Sequence, residues 1–268
     1  MAGTWRAVKR FGRMLWHTVQ GVHRARSGLH HLDAATQQAM VEHWAATFLE
    51  EAGIGLRVIG TPPKQGPVLL VANHQSWLDI PTLHAARHCR FIAKAEIARW
   101  PLVGHLARAA GTLFVQRNVR RDTQRTMQAM VAALQQGDIL TVFPEGTVGT
   151  GRELLPFHGN MLQAAIEADA PVQPVAMTFV DGRTGEVVYT PCEAYPDEPM
   201  LRSLWRTIGT EHLVAVVHYG TPEKAQGRDR RAWAQALRAQ VQALQQSALP
   251  MTQSWAPKPE QIAALVEQ

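Results

Sequence analysis

Residues 66–80 read GPVLLVANHQSWLDI, and the point at which this stretch stops being a strand decides the architecture. Val68 to Ala72 is an unbroken apolar run behind Gly66 and Pro67, the pattern of a short interior strand. The polar clump Asn73-His74-Gln75-Ser76 ends it, and Asp79 follows five residues after the histidine. On one helix a spacing of five sets two side chains about 140° apart. His74 and Asp79 therefore meet only if His74 stands in the loop leaving the strand and Asp79 in the turn beyond it. Two readings are open at this point. The clump is ordinary turn chemistry at a helix start, or it is an acid–base pair whose carboxylate orients the imidazole.

Outward from this stretch, strand and helix patterns alternate. Upstream, Asp33 is a candidate N-cap for a helix to about Glu51, closed by Gly53. LRVIG then reads as a strand before the turn-forming TPPKQG. Downstream come a helix after Asp79, the strand RFIAK, a helical stretch around EIARWPLVGHLARAA, and the strand GTLFVQR ending in Arg117. A helix over 121–136 carries Met127, Met130, Val131 and Leu134 on one face. The strand DILTVFP, a helix near NMLQAAIEA, and strands at VQPVAMTFV, Glu186 to Tyr189 and LVAVVHYG follow, then a helix over 229–247. Two prolines in APVQPVAM imply an edge or bent strand. The expected fold is a single α/β domain with a central mixed β-sheet flanked by helices, preceded by an amphipathic N-terminal helical region.

Composition narrows the function classes. The 268 residues, 46% of them hydrophobic, suffice for a substantial core. A net charge of +5 favours anionic partners. The two cysteines, Cys89 and Cys192, stand far apart, which argues against a disulfide framework or structural zinc. No stretch reaches the roughly 18–20 apolar residues that span a bilayer. The N-terminus has charges spread through it and no clean apolar core of a signal peptide.

That N-terminus is nevertheless amphipathic. On a helical projection Trp5, Val8, Phe11, Leu15, Trp16, Val19 and Val22 fall within about 140°, while Arg6, Lys9, Arg10, Arg13, His17 and Arg24 cluster opposite. Such a helix either lies in a membrane interface or packs its apolar stripe on the domain's own core.

Two further stretches carry chemistry. VFPEGTVGTGRELLPFHG (142–159) delivers a carboxylate, a flexible backbone and a hydroxyl at one spot through Glu145, Gly146 and Thr147. A tight strand-to-helix turn accounts for the proline and glycine but does not require the glutamate. Arg117, heading a basic run with Arg120 and Arg121, suits a phosphate or carboxylate.

In order, NHQSWLD, a strand ending in arginine, FPEGT and a Pro-x-x-Pro segment resemble the glycerolipid acyltransferase superfamily, and within it the 1-acylglycerol-3-phosphate (lysophosphatidic acid) acyltransferases. The resemblance spans roughly residues 56–180. It implies that His74 is the catalytic base and Asp79 its orienter, and that Arg117, Glu145, Gly146 and Thr147 form the acceptor site. It implies no metal and no cofactor, with acyl-CoA or an acyl carrier protein thioester as co-substrate and a lysolipid as acceptor. It further implies a monotopic protein on the anionic cytoplasmic face of the inner membrane. Residues 1–54 would be a membrane-associating helical region, 55–250 the acyltransferase domain and 251–268 a tail. Two positions depart from the pattern: Gln116 stands where an acidic residue is common, and Val148 where arginine usually follows Glu-Gly-Thr. The second points also to other acceptors such as lyso-ornithine lipid, with Arg152 or His158 as replacement cations.

Three other classes compete with this reading. A metal-dependent hydrolase draws on the 12 histidines but lacks HExxH or paired histidines. A non-catalytic lipid-binding protein would tolerate loss of His74. A nucleic-acid binder rests on charge alone, so no nucleic-acid partner is expected.

Overall fold

The computed structural model describes residues 2–27, 32–116, 120–192 and 199–247. Seven strands form one sheet in the order β1-β7-β6-β2-β5-β3-β4. They are β1 (Gly55–Ile59), β2 (Val68–Ala72), β3 (Arg90–Lys94), β4 (Leu113–Val115), β5 (Ile139–Val142), β6 (Val172–Asp181) and β7 (Leu213–Tyr219). Only the β6–β7 pairing is antiparallel, so the sheet is mixed, as expected. The helices are α1 (Ala2–Arg26), α2 (Ala34–Ala52), α3 (Asp79–Ala86), α4 (Val103–Ala109), α5 (Arg120–Gln135), α6 (Leu162–Glu167), α7 (Met200–Gly209) and α8 (Arg230–Ser247).

The strand period of two sorts β2 between two cores. Leu69 and Val71 face a cluster built with α5, α6 and α8, including Met130, Leu134, Leu162, Trp233 and Leu237. Val68, Leu70 and Ala72 face the opposite cluster, with Leu83 of α3, Phe91 and Val217. Burial on both faces is why the strand reads as continuously apolar. Asp33 caps α2 by accepting from Thr36 N at 2.9 Å, and Gly53 closes it in the left-handed region at φ 70°, both as the sequence implies.

Three expectations change. The segment from Glu186 to Tyr189 is not a strand: beyond the turn at Asp181–Gly185 it holds only a single bridge, Val180 to Val187. The stretch around residues 95–109 is a 3₁₀ turn (Ala95–Arg99) and then α4, separated at Pro101, because proline lacks the amide that helix continuation needs. Strand β6, which Pro171 precedes and which contains Pro174, is not the edge strand that was one of the two alternatives: it is interior, flanked by β2 and β7. Pro174 fits there because its carbonyl accepts from Gly220 N at 2.8 Å at the end of the β7 ladder. The Gly220 carbonyl, deprived of a Pro174 amide, accepts from Gln173 Nε2 at 2.8 Å instead.

Helix α1 divides its predicted apolar stripe. Ala7, Met14 and Val22 are buried, and Phe11 packs beside Trp205 of α7, with ring centroids 6.2 Å apart. Gly21 lies so close to Trp44 of α2 that a Cβ would come within 2.3 Å of the indole nitrogen. Trp5, Val8, Leu15, Trp16 and Val19 stay exposed. The basic band divides too. Arg10 donates to the carbonyls of Ile208 and Thr210, capping the end of α7. Arg6 pairs with Glu211, Arg13 with Glu51, and His17 Nε2 lies 2.9 Å from the Trp44 carbonyl. No described helix is long and apolar enough to cross a membrane.

Candidate active site

Strands β2 and β5 are parallel neighbours with Val71 opposite Val142. His74 and Glu145 each lie three residues beyond that pair, so the register brings residues 71 apart in sequence to one level at the carboxyl end of the sheet. Open α/β sheets place their ligand crevices at that end.

The chain leaves β2 through Asn73, whose side chain continues the sheet. Its Oδ1 accepts from Met177 N at 2.7 Å and its Nδ2 donates to Met177 O at 3.1 Å, occupying the β6 ladder as a backbone amide would. His74 is thereby lifted out of the strand with its direction fixed. Its ring Nδ1 is 2.7 Å from Asp79 Oδ2, and the same oxygen accepts from Gln75 N at 2.7 Å and Ser76 N at 2.9 Å. Asp79 opens α3 and is fully buried, so the loop folds back upon a carboxylate at a helix N-terminus, where negative charge is favoured. With Nδ1–H donating to Asp79, Nε2 is left as the basic nitrogen.

Three more contacts hold His74. Its amide donates to Glu145 Oε1 at 2.7 Å, its carbonyl accepts from Gly149 N at 2.8 Å, and its ring stacks on Phe143 with centroids 4.1 Å apart. Glu145 is buried, and its Oε2 accepts from Leu155 N at 2.9 Å. Burial pushes its carboxyl above the ordinary range, against the two amide bonds that pull it down. Both oxygens of Glu145 are thus engaged by backbone, while Gly146, at φ 74°, and Thr147 are exposed next to it. Arg117 lies outside the described residues.

Some members of this cluster carry no signal in the sequence. Gln75 donates to the Met177 carbonyl and accepts from the Cys192 thiol at 3.3 Å. Gly151, at φ 78°, packs against both, and a Cβ there would come within 2.6 Å of Gln75 Oε1. Glycine is required at that point. Arg152 follows, its guanidinium 4.4 Å from the Tyr189 ring. Val148 is exposed. Among the described residues no group of three or more His, Cys, Asp and Glu could hold a metal ion.

Comparisons with known proteins converge. A family model described as Acyltransferase matches residues 56–178, which contain His74, Asp79 and Glu145. The chain is 37% identical over 199 residues to a lyso-ornithine lipid O-acyltransferase of Pseudomonas aeruginosa, covering 74% of this chain and 75% of that protein. It is 39% identical over 182 residues to a 1-acyl-sn-glycerol-3-phosphate acyltransferase of Neisseria gonorrhoeae, covering 67% and 70%. The crystal structure of the 1-acyl-sn-glycerophosphate acyltransferase PlsC from Thermotoga maritima superposes with a TM-score of 0.65 over 91% of this chain and 100% of that one. At 18% identity, that likeness concerns the fold.

Proposed function

The chain belongs to the Acyltransferase family, and from that premise we propose that it moves a fatty acyl group from a thioester, acyl-CoA or acyl carrier protein, to the free hydroxyl of a lysolipid. The observation that carries this reading is the 2.7 Å bond between His74 Nδ1 and Asp79 Oδ2 in a loop braced by Glu145.

The chemistry follows from that bond. His74 Nε2 takes the proton of the lipid hydroxyl as its oxygen attacks the thioester carbonyl. Asp79 stabilises the imidazolium that forms. The tetrahedral intermediate collapses, the carbon–sulfur bond breaks, and the departing thiolate takes the proton from His74. One ester and one thiol leave, with the protein unchanged, and the scheme needs neither metal nor cofactor. Glu145 acts as a positioning residue, since its carboxylate is bound to the His74 and Leu155 amides. Gly146 and Thr147, exposed beside it, form the face that receives the acceptor headgroup, and Arg117 keeps the headgroup-binding role that the family resemblance implies for it.

The first acceptor is 1-acyl-sn-glycerol-3-phosphate, giving phosphatidic acid. One observation favours a second, lyso-ornithine lipid: Val148 removes a cation where a phosphate would sit, and Arg152 is held beside Tyr189 a few residues on. A lipid acceptor also requires the site to reach a membrane. The exposed Trp5, Val8, Leu15, Trp16 and Val19 of α1 support monotopic attachment to a bilayer surface. An assay of purified protein with a thioester donor and a panel of lysolipids is expected to yield phosphatidic acid from lysophosphatidic acid. Acylation of lyso-ornithine lipid alone would transfer the assignment to that acceptor. Acylation of no lysolipid would overturn the reading.

A further inference from the structure

We propose that α7 is a second membrane-docking element, forming with α1 one apolar face that seats on an anionic bilayer. The inference rests on the lipid-acceptor reading and extends it to α7 (Met200–Gly209), far along the chain from His74 and in a region that carries no sequence motif. Helix α7 buries Ser203, Thr207 and Ile208 against the domain. On its outer side, one turn apart, stand Leu201 and Trp205, 67% and 41% exposed, with Met200 beside them at 40%. Trp205 packs beside Phe11 yet keeps 41% of its surface exposed, and Leu201, one turn before it, keeps 67%, more apolar surface than burial of the inner face leaves uncovered on an ordinary helix.

This outer side is continuous with the exposed stripe of α1. Trp205 meets Phe11, and Phe11 lies on α1 next to Val8 and Leu15, which lead on to Trp5 and Trp16, 62% and 65% exposed. Arg10 reinforces the join by capping α7 from α1, so the two helices present their outer faces as one unit. Arg202 and Arg206 stand beside the apolar pair on α7 as Lys9 and Arg13 stand beside the stripe on α1; Arg206 also donates to the Thr190 carbonyl and Arg13 also pairs with Glu51. Tryptophan at the margin of an apolar stripe flanked by arginine and lysine suits the boundary between acyl chains and anionic headgroups. The basic residues recurring along both helices beside one apolar face match an anionic bilayer, which offers headgroup charge and acyl chains together along the whole length of the face.

The test uses the full chain and vesicles of mixed phosphatidylglycerol and phosphatidylethanolamine, read by co-sedimentation with no turnover required. Leu201→Ser is expected to weaken partitioning about tenfold, the scale for withdrawing one leucine from an apolar phase, and Leu201→Trp to strengthen it. Equal partitioning of wild type and both variants overturns the proposal. So does a wild-type dimer in sedimentation velocity that Leu201→Ser dissociates while vesicle binding stays unchanged, because the face would then meet a second copy. Because binding is read without chemistry, loss of the acyl-transfer reading would show in the lysolipid panel, and loss of the α7 reading only here.

Discussion

His74→Ala is expected to lower the rate of acyl transfer by about 10²–10⁴-fold, the span general-base catalysis supplies, while vesicle binding and the unfolding midpoint stay close to wild type. The side chain is partly exposed, and its loss leaves the loop's backbone anchors in place: the amide on Glu145 and the carbonyl on Gly149. What disappears is the one basic nitrogen that Asp79 orients. The measurement is initial rate at saturating lysolipid and thioester, with urea unfolding as the control. A non-catalytic lipid-binding protein has no turnover to lose, and a variant with wild-type turnover would remove His74 from the mechanism.

Glu145→Ala is expected to be the most damaging change that touches no substrate. It leaves the partly buried His74 and Leu155 amides without acceptors, at about 1–3 kcal/mol each, and frees the loop that aims the imidazole. Stability is expected to fall by about 2–5 kcal/mol and turnover to fall with it, since a loosened general base loses orientation as well as proximity. Glutamine keeps one acceptor and turns an NH₂ group towards the other amide, so Glu145→Gln should lie between alanine and wild type.

The pH dependence of this residue has a definite sign. Burial raises the Glu145 carboxyl in the folded state, so its contribution to stability is full below the ordinary carboxylate range and is lost as pH rises through the raised value. Wild type should therefore lose stability relative to Glu145→Gln across that window, as urea unfolding at stepped pH would read. A difference that grows with pH would mean that the two amide bonds outweigh burial.

Much of the fold was legible because β2, β5, β6 and β7 are buried on both faces and α2 carries its caps in the sequence. The His74–Asp79 meeting was legible as one of two alternatives. The strand end at Ala72 was marked by the polar clump. The decision needed the fold-back that brings Asp79 to the His74 ring, which depends on the Asn73 side chain's bonds to Met177 of β6. Glu145 was visible as a residue that a turn does not require. Its bracing contacts come from the β2–β5 register and from Leu155, ten residues on. The Gln75–Cys192–Gly151 contact joins segments with no shared periodicity. On α1, amphipathicity identified an apolar stripe, but packing selected a neighbouring strip with Ala7, Met14 and Gly21. Small residues allow helices to approach closely, a property that hydrophobicity scarcely records.

The central claim is that the lipid's own oxygen, activated by His74, is the nucleophile. It is tested most directly by rapid quenching of a single turnover with a labelled acyl thioester, following label in donor, lipid and protein together. Label passing from thioester to lipid ester with none on the protein at any time is the predicted result. A labelled protein that forms and decays at the rate of turnover would contradict it.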